Sequence, residues 1–139
     1  MLSTNKLEKI MSSMDLKNDI KTLDALAPIV IGSDTTTNGI EIDTNGFESL
    51  TFLLRASSYT DGTFTASLEE SDVSGSGYTA VDSVFVIGEV ALTAAGVASI
   101  GSVAKKRYIR LVITSTAVTT GTTLDSLAVL GSPRHAAVA

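Results

Sequence analysis

Lys105-Lys106-Arg107-Tyr108-Ile109-Arg110-Leu111-Val112-Ile113-Thr114 alternates with period two. Ile109, Leu111 and Ile113 point to one face, and Tyr108, Arg110, Val112 and Thr114 to the other, the pattern of a sheet strand. The stretch is rich in β-branched residues and holds four of the ten positive charges of an otherwise acidic chain.

On both sides of this strand the same pattern returns, broken by turn signals. Ile29-Val30-Ile31 ends at Gly32, and the polar loop after it closes on Asn38-Gly39. Ile40 to Asp43 alternates and stops at Asn45-Gly46. Phe47 to Ala56 reads as a long strand with Leu50, Phe52 and Leu54 on one face and Ser49, Thr51 and Leu53 on the other. After Asp61-Gly62, Thr63 to Glu69 puts Phe64, Ala66 and Leu68 inward. A polar loop over 70–77 leads to a short strand at Tyr78–Val81 and then to Val84-Phe85-Val86-Ile87, apolar on both faces as in a buried strand. Ala91 to Gly96 reads as a loop, Val97 to Val103 leads into the basic strand, and Thr122 to Leu130 is the last strand. About eight strands with Asn-Gly and Asp-Gly turns between them predict an all-β chain, a β-sandwich or jelly roll. A closed barrel has the same pattern.

Residues 1–27 differ. Leu7, Ile10, Met11, Met14, Leu16, Ile20, Leu23 and Leu26 recur at three- and four-residue steps, which is helical spacing. Asp15 would cap a helix over 16–25 and Pro28 would stop it. The spacing thus predicts an N-terminal helical or extended arm over 1–27, a sandwich over 28–135 and a flexible tail over 136–139. The arm either docks on a partner or neighbouring subunit through Leu16, Ile20, Leu23 and Leu26, or lies on its own domain. Met11 and Met14 are alternative starts.

Composition narrows the chemistry. The chain has 139 residues and no cysteine, which excludes disulfides and thiolate metal sites. The single histidine, His135, excludes a site needing two imidazoles and sits in the tail, away from any Gly-x-Ser-x-Gly elbow. Glu69 and Glu70 are adjacent, so on a strand they face opposite sides and cannot act as a carboxylate pair. Asp61, Glu69, Glu70 and Asp72 are the candidate oxygen donors for calcium, though without EF-hand spacing. No Gly-Lys-Ser/Thr phosphate cradle occurs. The reading is no enzyme, no catalytic residue, no metal and no cofactor. No apolar run reaches the roughly 20 residues that span a bilayer, and the start lacks a signal-peptide apolar block, so no membrane partner is expected.

Charge is unevenly spread. Residues 34–89 carry ten acids against Arg55, while residues 90–139 carry five positive charges against Asp125. A basic strand in isolation suggests a polyanion, but Tyr108 is its one aromatic and the isoelectric point is near 4.7, which argues against nucleic acid. Arg107 and Arg110 are instead candidates for pairing with the acidic middle, inside the fold or across a subunit contact.

A further set of residues carries a resemblance. Asp15-Leu16-Lys17-Asn18-Asp19-Ile20-Lys21, Ala25-Leu26-Ala27-Pro28, Ile42-Asp43-Thr44-Asn45-Gly46-Phe47-Glu48-Ser49 and Leu68-Glu69-Glu70-Ser71-Asp72 come first. Lys106-Arg107-Tyr108-Ile109-Arg110 and Ala128-Val129-Leu130-Gly131-Ser132-Pro133-Arg134-His135 follow. In that order, from about 15 to 135, they resemble the head-decoration (cement) proteins of tailed bacteriophages. The resemblance implies a structural virion protein on the capsid surface, made in the host cytoplasm. It also implies a homo-oligomer, a trimer, bound to the major capsid protein, with no activity and no cofactor. Many relatives begin near the position of Met14, which makes 1–13 an extension. The alternatives from other classes are a carbohydrate-binding or host-adhesin sandwich, with Tyr59 and Tyr78 as its ring platforms, and a tail or neck structural protein.

Overall fold

The computed structural model describes residues 16–88, 90–103 and 106–134. The first part of the arm with Asp15, Met11 and Met14, together with Glu89, Lys105, His135 and the tail, lies outside the described residues. The elements in chain order are α1 (Leu16–Asp19), β1 (Lys21–Ile31), β2 (Thr36–Asn38), β3 (Ile42–Asp43), β4 (Phe47–Ser57), β5 (Thr63–Ser71) and β6 (Thr79–Ala80). A 3-10 turn (Ser83–Phe85), β7 (Val86–Ile87), β8 (Val90–Leu92), β9 (Gly96–Ser102), β10 (Tyr108–Thr116) and β11 (Thr122–Pro133) follow.

The strands form two antiparallel sheets packed face to face, an all-β sandwich. One sheet has the order β1-β11-β4-β9-β7. The other runs β2-β10-β5-β6, with β3 also on β10 and β8 also on β5. Period-two alternation explains the core. Phe52 and Leu54 of β4, Ile100 of β9, and Leu124 and Leu130 of β11 project inward from the first sheet. They join Phe64 of β5 and Ile109, Leu111 and Ile113 of β10 from the second in one buried cluster. The opening strand thus behaves as its alternation predicts.

The helical reading of 16–25 is corrected. Only Leu16–Asp19 is helical, and from Lys21 the chain is an edge strand hydrogen-bonded to β11. The reason is visible in the register. Asp24 lies opposite Leu127, Leu26 opposite Ser126 and Ile29 opposite Leu124, so one extra residue is inserted at each of two β-bulges. Each bulge stretches a step of two into a step of three, and Leu23, Leu26 and Ile29 then imitate helical spacing. Pro28 sits at the second bulge, on an edge strand, where its missing N–H is tolerated. The sandwich accordingly begins at Lys21, ahead of the boundary drawn at residue 28.

Val84 to Ile87 is also corrected: it is a 3-10 turn and a two-residue strand, with Val84 and Ile87 exposed. Asp82 caps the turn by accepting from the Val84 N–H at 3.1 Å, a local bond that competes with strand pairing. Ala91 and Leu92, read as the start of a loop, belong to β8, because they pair with Thr65 and Phe64.

Candidate docking face

Each sheet has an outer surface, and the registers fix what it carries. On the second sheet, Arg110 lies opposite Glu69, Val112 opposite Ser67, Thr114 opposite Thr65 and Thr116 opposite Thr63. β2 adds Thr36 and Asn38 beside Thr114 and Val112. That surface is hydroxyl-rich; its Val112 is buried, and the small Ala80 and Ala91 are its exposed apolar members.

On the first sheet the same logic gives a different surface. Leu127 of β11, Leu53 of β4 and Ser99 of β9 form one row. Val129, Thr51, Gly101 and Ile87 form the next, and Asp125, Arg55 and Val97 the row on the other side. Leu53 and Leu127 are partly exposed, and Val97 is 71% exposed. Two open hollows lie on this face. One is walled by Leu53, Val97 and Leu127, the other by Thr51, Ile87, Gly101 and Val103. Small side chains at Ser99 and Gly101 keep the surface low between the apolar ridges. Such a patch is costly to leave in water and is a common mark of an interaction site.

The four described arginines are each paired within the chain. The Arg107 guanidinium donates to both carboxylate oxygens of Asp43 at 2.9 Å, and this bond holds the Asp43 carboxyl below its ordinary range. Arg110 donates to Glu69 at 2.9 and 2.7 Å and lies 4.1 Å from the Tyr78 ring centroid. Arg55 is bidentate to Asp125 at 3.0 Å, and Arg134 meets Glu48 at 3.1 Å. The basic strand therefore spends both arginines on its own acidic middle, because β3 and β5 flank β10. Of the two pairings left open by the sequence, the internal one is present within the single chain.

Glu41 accepts from the Ser74 hydroxyl, the Gly75 N–H and the Tyr78 hydroxyl at 2.6, 2.7 and 2.5 Å. These three bonds, led by Ser74, lower its pKa. Tyr78 is pushed up, first by burial and then by its bond to Glu41. With Arg110 over its ring, Tyr78 is an internal strut rather than a sugar platform. Tyr59 is similarly engaged: its hydroxyl donates to the Gly62 carbonyl at 2.5 Å, and its ring meets Phe64 edge-on at 6.3 Å.

The acids considered for calcium are separated. Asp61 accepts from the backbone N–H groups of Thr119, Thr120 and Gly121 at 3.2, 3.0 and 2.7 Å, and also from the Thr119 hydroxyl. These bonds, the Thr119 hydroxyl first, lower its pKa to about 2. Glu69 is paired with Arg110. Among the described residues no group of three or more acids and histidines is arranged to hold a metal.

The predicted arm contacts divide. Leu16 is exposed on α1 and Ile20 is half-buried. Leu23 packs against the sandwich's own core, and Leu26 lies within it. Leu26 cannot serve an intersubunit contact without leaving the core, so the candidate set Leu16, Ile20, Leu23, Leu26 is corrected at its last member. The apolar outer face, by contrast, was not singled out from the sequence. Its signal was present as Leu53, Val97 and Leu127, apolar side chains at polar phases of alternating strands.

No family model matches this chain, and no curated protein matches it. Among solved structures there is similarity in part. A chain of "Structure of infectious bursal disease virus Gx strain" superposes with a TM-score of 0.48 at 15% identity. The match covers 84% of this chain and 34% of that one, so this chain spans about a third of its length.

Proposed function

We propose that this protein is a non-enzymatic structural component of a bacteriophage virion that binds the outside of the capsid shell and stabilises it. The carrying observation is the difference between the two outer faces of the sandwich. The five-stranded sheet offers Leu53, Leu127, Val97 and Ile87 around a low centre, and the other sheet offers threonines and serines. A protein laid on a shell needs one surface to bury and one to leave in water, and this chain has both. The ordered likeness to head-decoration proteins supports the same reading. The partner is then the major capsid protein, and repeated copies multiply a modest single contact by avidity. The protein would be made in the host cytoplasm and reside on the capsid surface.

The test mixes purified protein with expanded, undecorated shells and images them by electron microscopy. Density should appear at symmetry-related positions on the shell. Leu53→Asp combined with Leu127→Asp should abolish that density while the circular dichroism of the free protein is unchanged, since both side chains already meet solvent. Undiminished binding by the double variant would refute the face, and binding confined to tails would refute the capsid assignment.

A further inference from the structure

Two of the four asparagines precede glycine, Asn38-Gly39 and Asn45-Gly46. A glycine after asparagine leaves the next backbone nitrogen open to attack the side-chain amide, since no Cβ stands in the way. Both pairs mark turns in the sequence, and the function proposed above uses neither. The structure treats them oppositely. Gly39 is wedged: its N–H donates to the Leu111 carbonyl at 2.7 Å, and a Cβ there would stand 2.6 Å from the Ala25 carbonyl oxygen. Asn38 itself lies in β2, in register with Val112. A nitrogen so placed can neither lose its proton freely nor turn toward the Asn38 side chain.

Asn45-Gly46 is a turn pinned at its ends and free at its centre. The Phe47 N–H closes on the Thr44 carbonyl at 3.0 Å, and the Gly46 carbonyl accepts from the Arg134 N–H at 2.9 Å. The Asn45 N–H donates to the Asp43 carboxylate at 3.0 Å. Among the described residues, the peptide between Asn45 and Gly46 has neither its carbonyl nor its N–H bonded, and the exposed Asn45 side chain is also without a hydrogen bond. Gly46 sits at φ +93 with no atom within 4 Å of where a Cβ would stand, so the central peptide has room to rotate and bring the Gly46 nitrogen against Asn45 Cγ. Asn45 also borders an open hollow with Lys106 and Arg134, which admits water.

We infer that Asn45 is a site of spontaneous deamidation, and that the fold protects Asn38 from the same reaction. The Gly46 nitrogen gives its proton to hydroxide and forms a bond to Asn45 Cγ. The side-chain nitrogen takes a proton from water and leaves as ammonia, which returns the hydroxide. Water then opens the succinimide ring. Cleavage of the N–Cγ bond gives aspartate. Cleavage of the bond to the Asn45 backbone carbonyl carbon gives isoaspartate, in which the main chain runs through Cβ and Cγ. One water is consumed and one ammonia released, with no oxidant. Either product adds a negative charge to a chain of net charge −5, next to the Asp43 carboxylate. Asp61-Gly62 has the same following glycine, but the Asp61 carboxylate is held by the N–H groups of Thr119, Thr120 and Gly121, away from ring closure. The inference goes beyond the capsid reading and does not depend on it.

The test holds folded protein at body temperature and mildly alkaline pH, beside a sample unfolded in guanidinium chloride. Cleavage after Glu41 and Glu48 releases residues 42–48, in which Asn45 is the one side-chain amide, and separates them from Asn38. Mass spectrometry then reads the exchange of NH2 for OH in each peptide. In the folded protein Asn45 should convert and Asn38 should lag by at least about tenfold, because Gly39 reacts only when its bond to Leu111 opens. In guanidinium chloride the two should convert at similar rates. An acidic isoform of the folded protein should accumulate on ion exchange, and it should be absent from Asn45→Gln, whose longer side chain disfavours ring closure. Four outcomes would each overturn the proposal: Asn38 keeping pace with Asn45 in the folded protein, a lag that persists in guanidinium chloride, Asn45 remaining an amide while the unfolded sample converts, or an undiminished acidic isoform from Asn45→Gln. All of these measurements use the free protein, so they stand or fall apart from shell binding.

Discussion

Asp61 holds two loops together from one carboxylate. It leaves the turn between β4 and β5 and receives the N–H groups at the start of β11, where Gly121 adopts φ +85. A side chain at 121 would put its Cβ 1.7 Å from the Ile31 carbonyl oxygen, so glycine is required there for both conformation and space. Because the bonds favour the ionised carboxylate, the folded pKa, about 2, lies below the ordinary 3.8. A depressed pKa contributes stability that is fully present above the unfolded value and is lost as pH falls through the folded one. Asp61→Asn should therefore lower the urea midpoint at pH 6 and flatten the acid limb between about pH 4 and 2. Glu41 and Asp43 are also lowered, so some slope should remain. An acid limb identical to that of the unmodified protein would show that the latch contributes nothing.

At the scale of elements, β1 changes the meaning of the N-terminal arm. A strand that pairs with β11 over Lys21 to Ile31 and contributes Ala25, Leu26 and Ile31 to the core is part of the domain. Removing residues 1–15 should leave the melting transition nearly unchanged. Removing 1–27 should abolish the cooperative transition, and Leu26→Ala in the full chain should cost about 2–4 kcal/mol in chemical denaturation. If the longer truncation still melts cooperatively, β1 is an accessory strand. The contrast shows what was legible in the sequence. β4, β5 and β10 alternate without interruption, and their inward sets were readable residue by residue, while β11 was legible as a strand. β1 was unreadable because bulges replace the period of two with steps of three, and a bulge is defined by the partner strand rather than by its own residues. The pairing of Arg107 and Arg110 was legible as a charge imbalance, but choosing Asp43 and Glu69 needed the β3–β10 and β5–β10 registers.

For the whole molecule, charge and apolar surface have been sorted into different places. Arg55, Arg107, Arg110 and Arg134 each meet a carboxylate of the same chain. What the five-stranded sheet leaves outward at its centre is Leu53, Leu127 and Val97, with the Arg55–Asp125 pair beside them already neutralised. Docking by that face should be driven by apolar burial, which salt does not screen, rather than by attraction between net charges, which it does. Shell binding measured at about 50 mM and about 500 mM sodium chloride should accordingly differ by less than about threefold, and sulfate, which is excluded from protein surface, should strengthen it. Loss of binding by a factor of about ten or more over that range would place the contact on charged side chains instead. In that event the exposed Lys17 and Lys21 and the half-buried Lys106 become the residues to neutralise, since the arginines are held internally. The two outcomes assign docking to different parts of the surface, the sheet face in one case and scattered lysines in the other, so the salt series and the Leu53/Leu127 double variant check each other.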